Sequence, residues 1–253
     1  MIKILSIILF ILLLIVSGKQ GLKTFICFYM SYFLILLYII LMGYGFNAII
    51  MSLITCILSS IISLFLLNGN NIKTKSSFIS VNIVLIIVFL IIFLIGKHAN
   101  IQGFSYESIE SIGIFSFDIN YDMTDVIIGM YLVGTIGTIT DTSISISTAL
   151  NEIYINNKKL SREELFKSGM NIGRDILSTT INTLYFALIA SFIAFFVWHR
   201  TESIEYIINY KVFVQDIIEL LMCFIASILI IPITSYICSK KLVNENVLNK
   251  YIY

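Results

Sequence analysis

Six long apolar runs alternate with short polar stretches along the chain, at residues 25–42, 46–67, 78–96, 126–155, 176–198 and 212–238. A helix crosses a hydrocarbon core about 30 Å thick with roughly 20 apolar residues, so each run is long enough to span a membrane. A spanning β-barrel would instead read as alternating strands of about 10 residues, and no such alternation is visible. The pattern predicts an all-α, polytopic helical membrane protein, one transmembrane domain over residues 1–253 with six to seven spanning helices. The seventh candidate, residues 4–16, is shorter than a comfortable span and follows Lys3, which is also how a signal peptide begins.

Composition agrees and excludes a soluble domain: 58% of the 253 residues are hydrophobic, 12% are charged, and the mean hydropathy is +0.98. Charge placement then orients the spans. Of the 16 Lys and Arg, only Lys3, Lys97, Arg200 and Lys211 fall on one side; the other twelve, from Lys19 to Lys250, fall on the opposite one. Positively charged flanks resist translocation, so the twelve-residue side, which carries the C-terminus, is expected in the cytoplasm. Cleaving the first run as a signal would put Lys19 and Lys23 outside, which the charge count disfavours. A formal net charge of +1 gives no reason to expect nucleic acid as a partner. The lipid bilayer is the expected one.

The loops differ in kind. Residues 97–125 form the longest exterior loop, where Glu107, Glu110, Asp118, Asp122 and Asp125 stand against Lys97, an acidic mouth able to concentrate cations or simply a solvated loop. Residues 156–175 form a cytoplasmic loop in which Ser161 and Glu164 have capping-box spacing. A short amphipathic helix is predicted there, lying along the membrane face before residue 176 enters the bilayer.

Polar residues inside the spans carry the candidate chemistry. Gly134, Gly137, Asp141, Ser145, Thr148 and Glu152 step by 3, 4, 4, 3 and 4, which places them on one helical face. Asp175, Ser178, Thr179 and Asn182 make a second polar face on the next span. Gly134, Gly137, Gly169 and Gly173 are read as helix-packing positions. An aspartate at mid-helix costs roughly 2.5–3.5 kcal/mol on insertion scales, so the two faces are expected to meet and leave Asp141 away from lipid. Asp141, Ser145, Thr148 and Glu152 are therefore candidates for a proton or cation relay; interhelical glue is the competing reading of the same pattern. Asp216 and Glu219, one and two turns into the last span, are weaker candidates because such side chains reach interfacial water. Cys27, Cys56, Cys223 and Cys238 show no metal or redox spacing, and His98 and His199 stand alone. No cofactor and no metal are expected.

The stretches "GTIGTITDTSISISTALNEI", "ELFKSGMNIGRDILSTTINTL" and "PITSYI" resemble the bacterial YibE/F family of integral membrane proteins, over about residues 17–238. The chain looks like a short member, lacking the exterior domain that larger members place after their first helix. More distantly, the first two stretches resemble part of a resistance-nodulation-division or SecF-like half-transporter. That resemblance implies a half-transporter-like bundle with Asp141 as the proton-carrying carboxylate, and Thr179, Asn182 and Thr183 as its polar partners. Two departures stand out: no Lys or Arg lies within a span to exchange charge with Asp141, and the large exterior domains are missing. A longer family homologue as hetero-oligomer partner would supply such a domain.

Two functions are compatible with these residues: a permease or transporter subunit, with Asp141 as the group that would couple it to protons, and a non-catalytic membrane scaffold or partner subunit of a heteromeric complex. An aspartyl protease would need two facing carboxylates deep in neighbouring spans. None is paired that way in the sequence, and no enzyme activity is expected.

Overall fold

In a bilayer every backbone group must be satisfied within its own helix, and the computed structural model is accordingly a bundle of helices. It describes residues 2–98 and 122–251. Glu107, Glu110 and Asp118 of the acidic loop lie outside the described residues. The helices are α1 (Ile2–Gly43), α2 (Ala48–Ile61) extended by a π-helical turn (Ile62–Leu66), α3 (Ile72–His98), α4 (Met123–Asn156), α5 (Arg162–Trp198), the short α6 (Ile204–Ile208) and α7 (Lys211–Tyr251). Among the described residues, six helices are long and apolar enough to cross a membrane.

The first apolar run forms a helical limb of its own within α1, not a straight extension of the next. Helix α1 breaks at Gly18, whose φ of 52° and ψ of −125° are open to glycine and strained for any other residue. The chain folds back there. Phe10 packs on Phe25 with ring centroids 4.7 Å apart, and the Ser6 and Tyr29 hydroxyls are hydrogen-bonded, so the two limbs run antiparallel. Gly21 permits the close approach, since a Cβ there would overlap the Leu13 carbonyl. Gln20 Nε2 donates to the Leu67 carbonyl at 2.9 Å, which puts this turn at the same end of the bundle as the α2–α3 connection. That end also carries Lys73, Lys75, Lys158 and Lys159 and is called the basic end below.

Helix α4 is the centre of the bundle, packing against α2, α3, α5 and α7. Its Ile128, Leu132, Ile139, Ile146 and Leu150 are fully buried with Val81, Val84 and Leu85 of α3 and Ala226 and Ile230 of α7. Lipid tails are as apolar as these side chains, so close packing and hydrogen bonds hold the helices together. Both are visible between α3, α4 and α7. Ser77 Oγ donates to Ser147 Oγ at 2.9 Å, and the Ser143 and Thr234 hydroxyls are 3.0 Å apart, all four residues being solvent-inaccessible.

Helix α5 begins at the expected capping box: Glu164 N donates to Ser161 Oγ at 3.3 Å, and Ser161 N donates to Glu164 Oε2 at 2.8 Å. The predicted short helix within residues 156–175 is, however, the first part of one 37-residue helix, and the loop shrinks to residues 157–161. The reason is packing. Leu165 is fully buried, and Gly169 and Gly173 lie against Ser235 and Ile231 of α7, so the segment docks on the bundle and continues straight on. At the other end, Phe192 and Phe196 pack edge-to-face on Phe213 with centroids 5.0 and 5.6 Å apart. Helix α5 is thus pinned to α7 at both ends.

Candidate functional site

Between those two anchors, α4 and α5 enclose a groove of about 630 Å³. From α4 it is lined by Gly134, Gly137, Thr138, Asp141, Thr142 and Ser145, and from α5 by Ile176, Thr179, Thr180, Thr183 and Leu184. Of the polar residues read from the sequence, Asp141 and Ser145 of α4 therefore meet Thr179 and Thr183 of α5 across a space and not in tight contact. Gly137 widens the groove, since a Cβ there would have nothing within 4 Å.

Asp141 is exposed to this space. No hydrogen bond or ion pair joins its carboxylate to another described residue. Opposite it, Thr179 Oγ1 donates to the Ile176 carbonyl at 2.8 Å and Thr183 Oγ1 donates to the Thr179 carbonyl at 2.9 Å. With their donors used on their own helix, these hydroxyls face the groove as acceptors. A carboxylate and a row of acceptor oxygens suit a proton, a water chain or a small cation.

The other expected site residues fall elsewhere. Thr148 is half-buried and Glu152 exposed, both outside the groove lining and nearer the basic end. Asp175, Ser178 and Asn182 are exposed and outside the lining, whereas Thr180 and Thr138, not singled out by the pattern, are inside it. The observed α5 face, residues 176, 179, 180 and 183, has the same i, i+3, i+4, i+7 spacing as the expected 175, 178, 179 and 182. Sequence spacing defines a face and leaves its rotation open. The contacts of Gly169 and Gly173 with α7 set that rotation, because residues 169, 173, 176, 180 and 183 form one continuous row.

Glu219, a weaker candidate in the sequence, lies outside the groove lining, next to Gly134. Its carboxylate lies against Gly134, where an added Cβ would overlap Oε1. Like Asp141, it has no hydrogen bond or ion pair to another described residue. Tyr131, one helical turn before Gly134, is fully buried and donates its hydroxyl to the Gln215 carbonyl at 3.1 Å, fixing α7 against α4 at this level. Among the described residues no group of three or more His, Cys, Asp or Glu is placed to hold a metal, and the four cysteines are buried free thiols.

Searches of curated proteins and of solved structures returned no match. A family model, that of the YibE/F-like proteins, matches residues 5–244, a stretch that takes in all six apolar helices and the Asp141 groove. This integral membrane chain belongs to the YibE/F-like protein family.

Proposed function

We propose that the protein is a permease or transporter subunit in which Asp141 takes up and releases a proton or cation inside the α4–α5 groove. One observation carries the reading: an unpartnered carboxylate faces about 630 Å³ of space walled by threonine and serine oxygens. Interhelical glue would instead use its hydrogen-bonding groups on the neighbouring helix, as Ser77, Ser143, Ser147 and Thr234 do. The distant resemblance to half-transporters points to the same aspartate.

The test is ion flux in proteoliposomes holding a trapped pH dye, with a potassium diffusion potential imposed by valinomycin. The parent should acidify the lumen at least several-fold faster than protein-free vesicles, and Asp141→Asn, assembled equally well, should not. Equal flux in parent and variant would leave the groove a surface for a partner subunit and sink the permease reading.

The basic end belongs in the cytoplasm on this reading, because twelve of 16 Lys and Arg flank it. Single cysteines at Asn157 and Glu202, in a background without the native four, report the orientation on intact cells. An impermeant maleimide should label Glu202→Cys and spare Asn157→Cys; the reverse pattern inverts the topology.

A further inference from the structure

A second cavity, of about 530 Å³, opens on the far side of Gly134 between α1, α4 and α7. It differs in chemistry from the Asp141 groove. Its walls are aliphatic and aromatic, including Tyr38, Ile39, Met130 and Val133, and the single charged group among its lining residues is Glu219. Ile39 and Met130 are 57% and 44% exposed, so in a bilayer the cavity opens sideways to lipid.

We infer that this cavity binds a lipophilic organic cation, with Glu219 as its counter-charge. The inference rests on the permease reading and names the substrate class for it. A carboxylate in an oily cavity without a protein partner is costly unless it is neutralised by a proton or matched by a cation. An inorganic divalent ion is a poor match: calcium takes about 6–8 oxygen ligands, and this lining supplies one carboxylate. The Tyr38 hydroxyl is no second ligand, because it is buried 2.6 Å from where a Gly129 Cβ would stand. A bulky organic cation needs what the cavity has, namely apolar walls, an aromatic face and one negative charge. The volume lies within the roughly 300–1,000 Å³ usual for small-molecule pockets.

Placement links the two cavities. Gly134 lines both, and Asp141 is seven residues further along α4, about 10 Å of helix. A cation held at Glu219 and a proton held at Asp141 would occupy opposite sides of one glycine. That is the arrangement an exchanger needs.

The test uses radiolabelled tetraphenylphosphonium and the purified chain in lipid nanodiscs. Binding should be saturable, should fall at least tenfold in Glu219→Gln, and should survive Asp141→Asn. Neutral triphenylphosphine oxide should not compete. Equal binding in Glu219→Gln, or full competition by the neutral compound, would mean an oily cleft filled by lipid and would overturn the inference. Should Glu219→Gln fail to fold, the parent suffices: tetraphenylphosphonium should protect Glu219 from a lipophilic carbodiimide, read by peptide mass spectrometry, and absence of protection overturns the inference. The two proposals fail separately. Asp141-dependent flux without Glu219-dependent binding removes only the substrate class, and binding without Asp141-dependent flux removes only the coupled permease.

Discussion

Gly173→Leu is expected to lift α5 off α7 and to destabilise the protein strongly, whereas Gly137→Leu is expected to leave its stability near the parent's. Both glycines belong to the small-residue positions that the sequence marks for helix packing. They have opposite surroundings. A Cβ at Gly173 would overlap Ile231 Cγ2, a branched atom close to the α7 backbone that cannot swing aside as a long side chain would. Overpacking a close-packed contact costs about 1–3 kcal/mol, and a leucine adds three further carbons to the overlap. The contact also serves as one of the two anchors of α5, so its loss opens the groove as well. At Gly137 a Cβ meets nothing within 4 Å, and the leucine would project into the groove. Thermal unfolding in detergent should show a loss of many degrees for Gly173→Leu and little change for Gly137→Leu. Similar losses in both would mean that α4 and α5 are in contact at Gly137, and the groove description would fall.

The second large effect is expected at Ser143→Leu, with Ser145→Leu as its control two residues away. Ser143 is fully buried, its hydroxyl 3.0 Å from that of Thr234 and 3.4 Å from the Ser77 carbonyl that accepts from it. A leucine would drive α3, α4 and α7 apart and leave the Thr234 hydroxyl without that partner in an environment that supplies no water. Large core insertions of this kind are in the same range of about 1–3 kcal/mol or above it. Ser145 faces the α4–α5 groove and is exposed there. Its replacement should preserve folding. Size-exclusion chromatography in detergent separates the outcomes: Ser143→Leu should aggregate or elute broadly, and Ser145→Leu should remain monodisperse. A monodisperse, parent-like Ser143→Leu would contradict the buried hydroxyl network.

The apolar runs were long enough to name six spanning helices before any contact was known, because a bilayer demands length and hydropathy and little else. Local chemistry was equally legible at Ser161 and Glu164, whose spacing alone specifies a helix start. The polar face of α4 was legible as far as Ser145, since periodicity along one helix needs no knowledge of its neighbours. Beyond that helix the pattern thinned out. The observed face of α5 is one residue out of phase with the expected one, Thr148 and Glu152 lie outside the groove, and Thr180 lines it.

Backbone hydrogen bonding and hydropathy act within a single segment, and so the helical class, the spans, the capping box and the presence of an aspartate that lipid cannot accommodate are all written in the residues alone. Which surfaces touch depends on contacts between segments and emerges only in the folded bundle. Gly18 turns the first run back onto α1 because a positive φ aligns two limbs that hydropathy alone would have left independent. Gly169 and Gly173 fix the rotation of α5 through contacts with α7, and Gly134 brings Glu219 beside the Asp141 groove. Gly18 acts through its own backbone conformation, with nothing within 4 Å of where a Cβ would stand. The other three are locally silent: their meaning comes from the α7 atom that occupies the space the missing Cβ leaves, and that atom belongs to a residue far away in the chain.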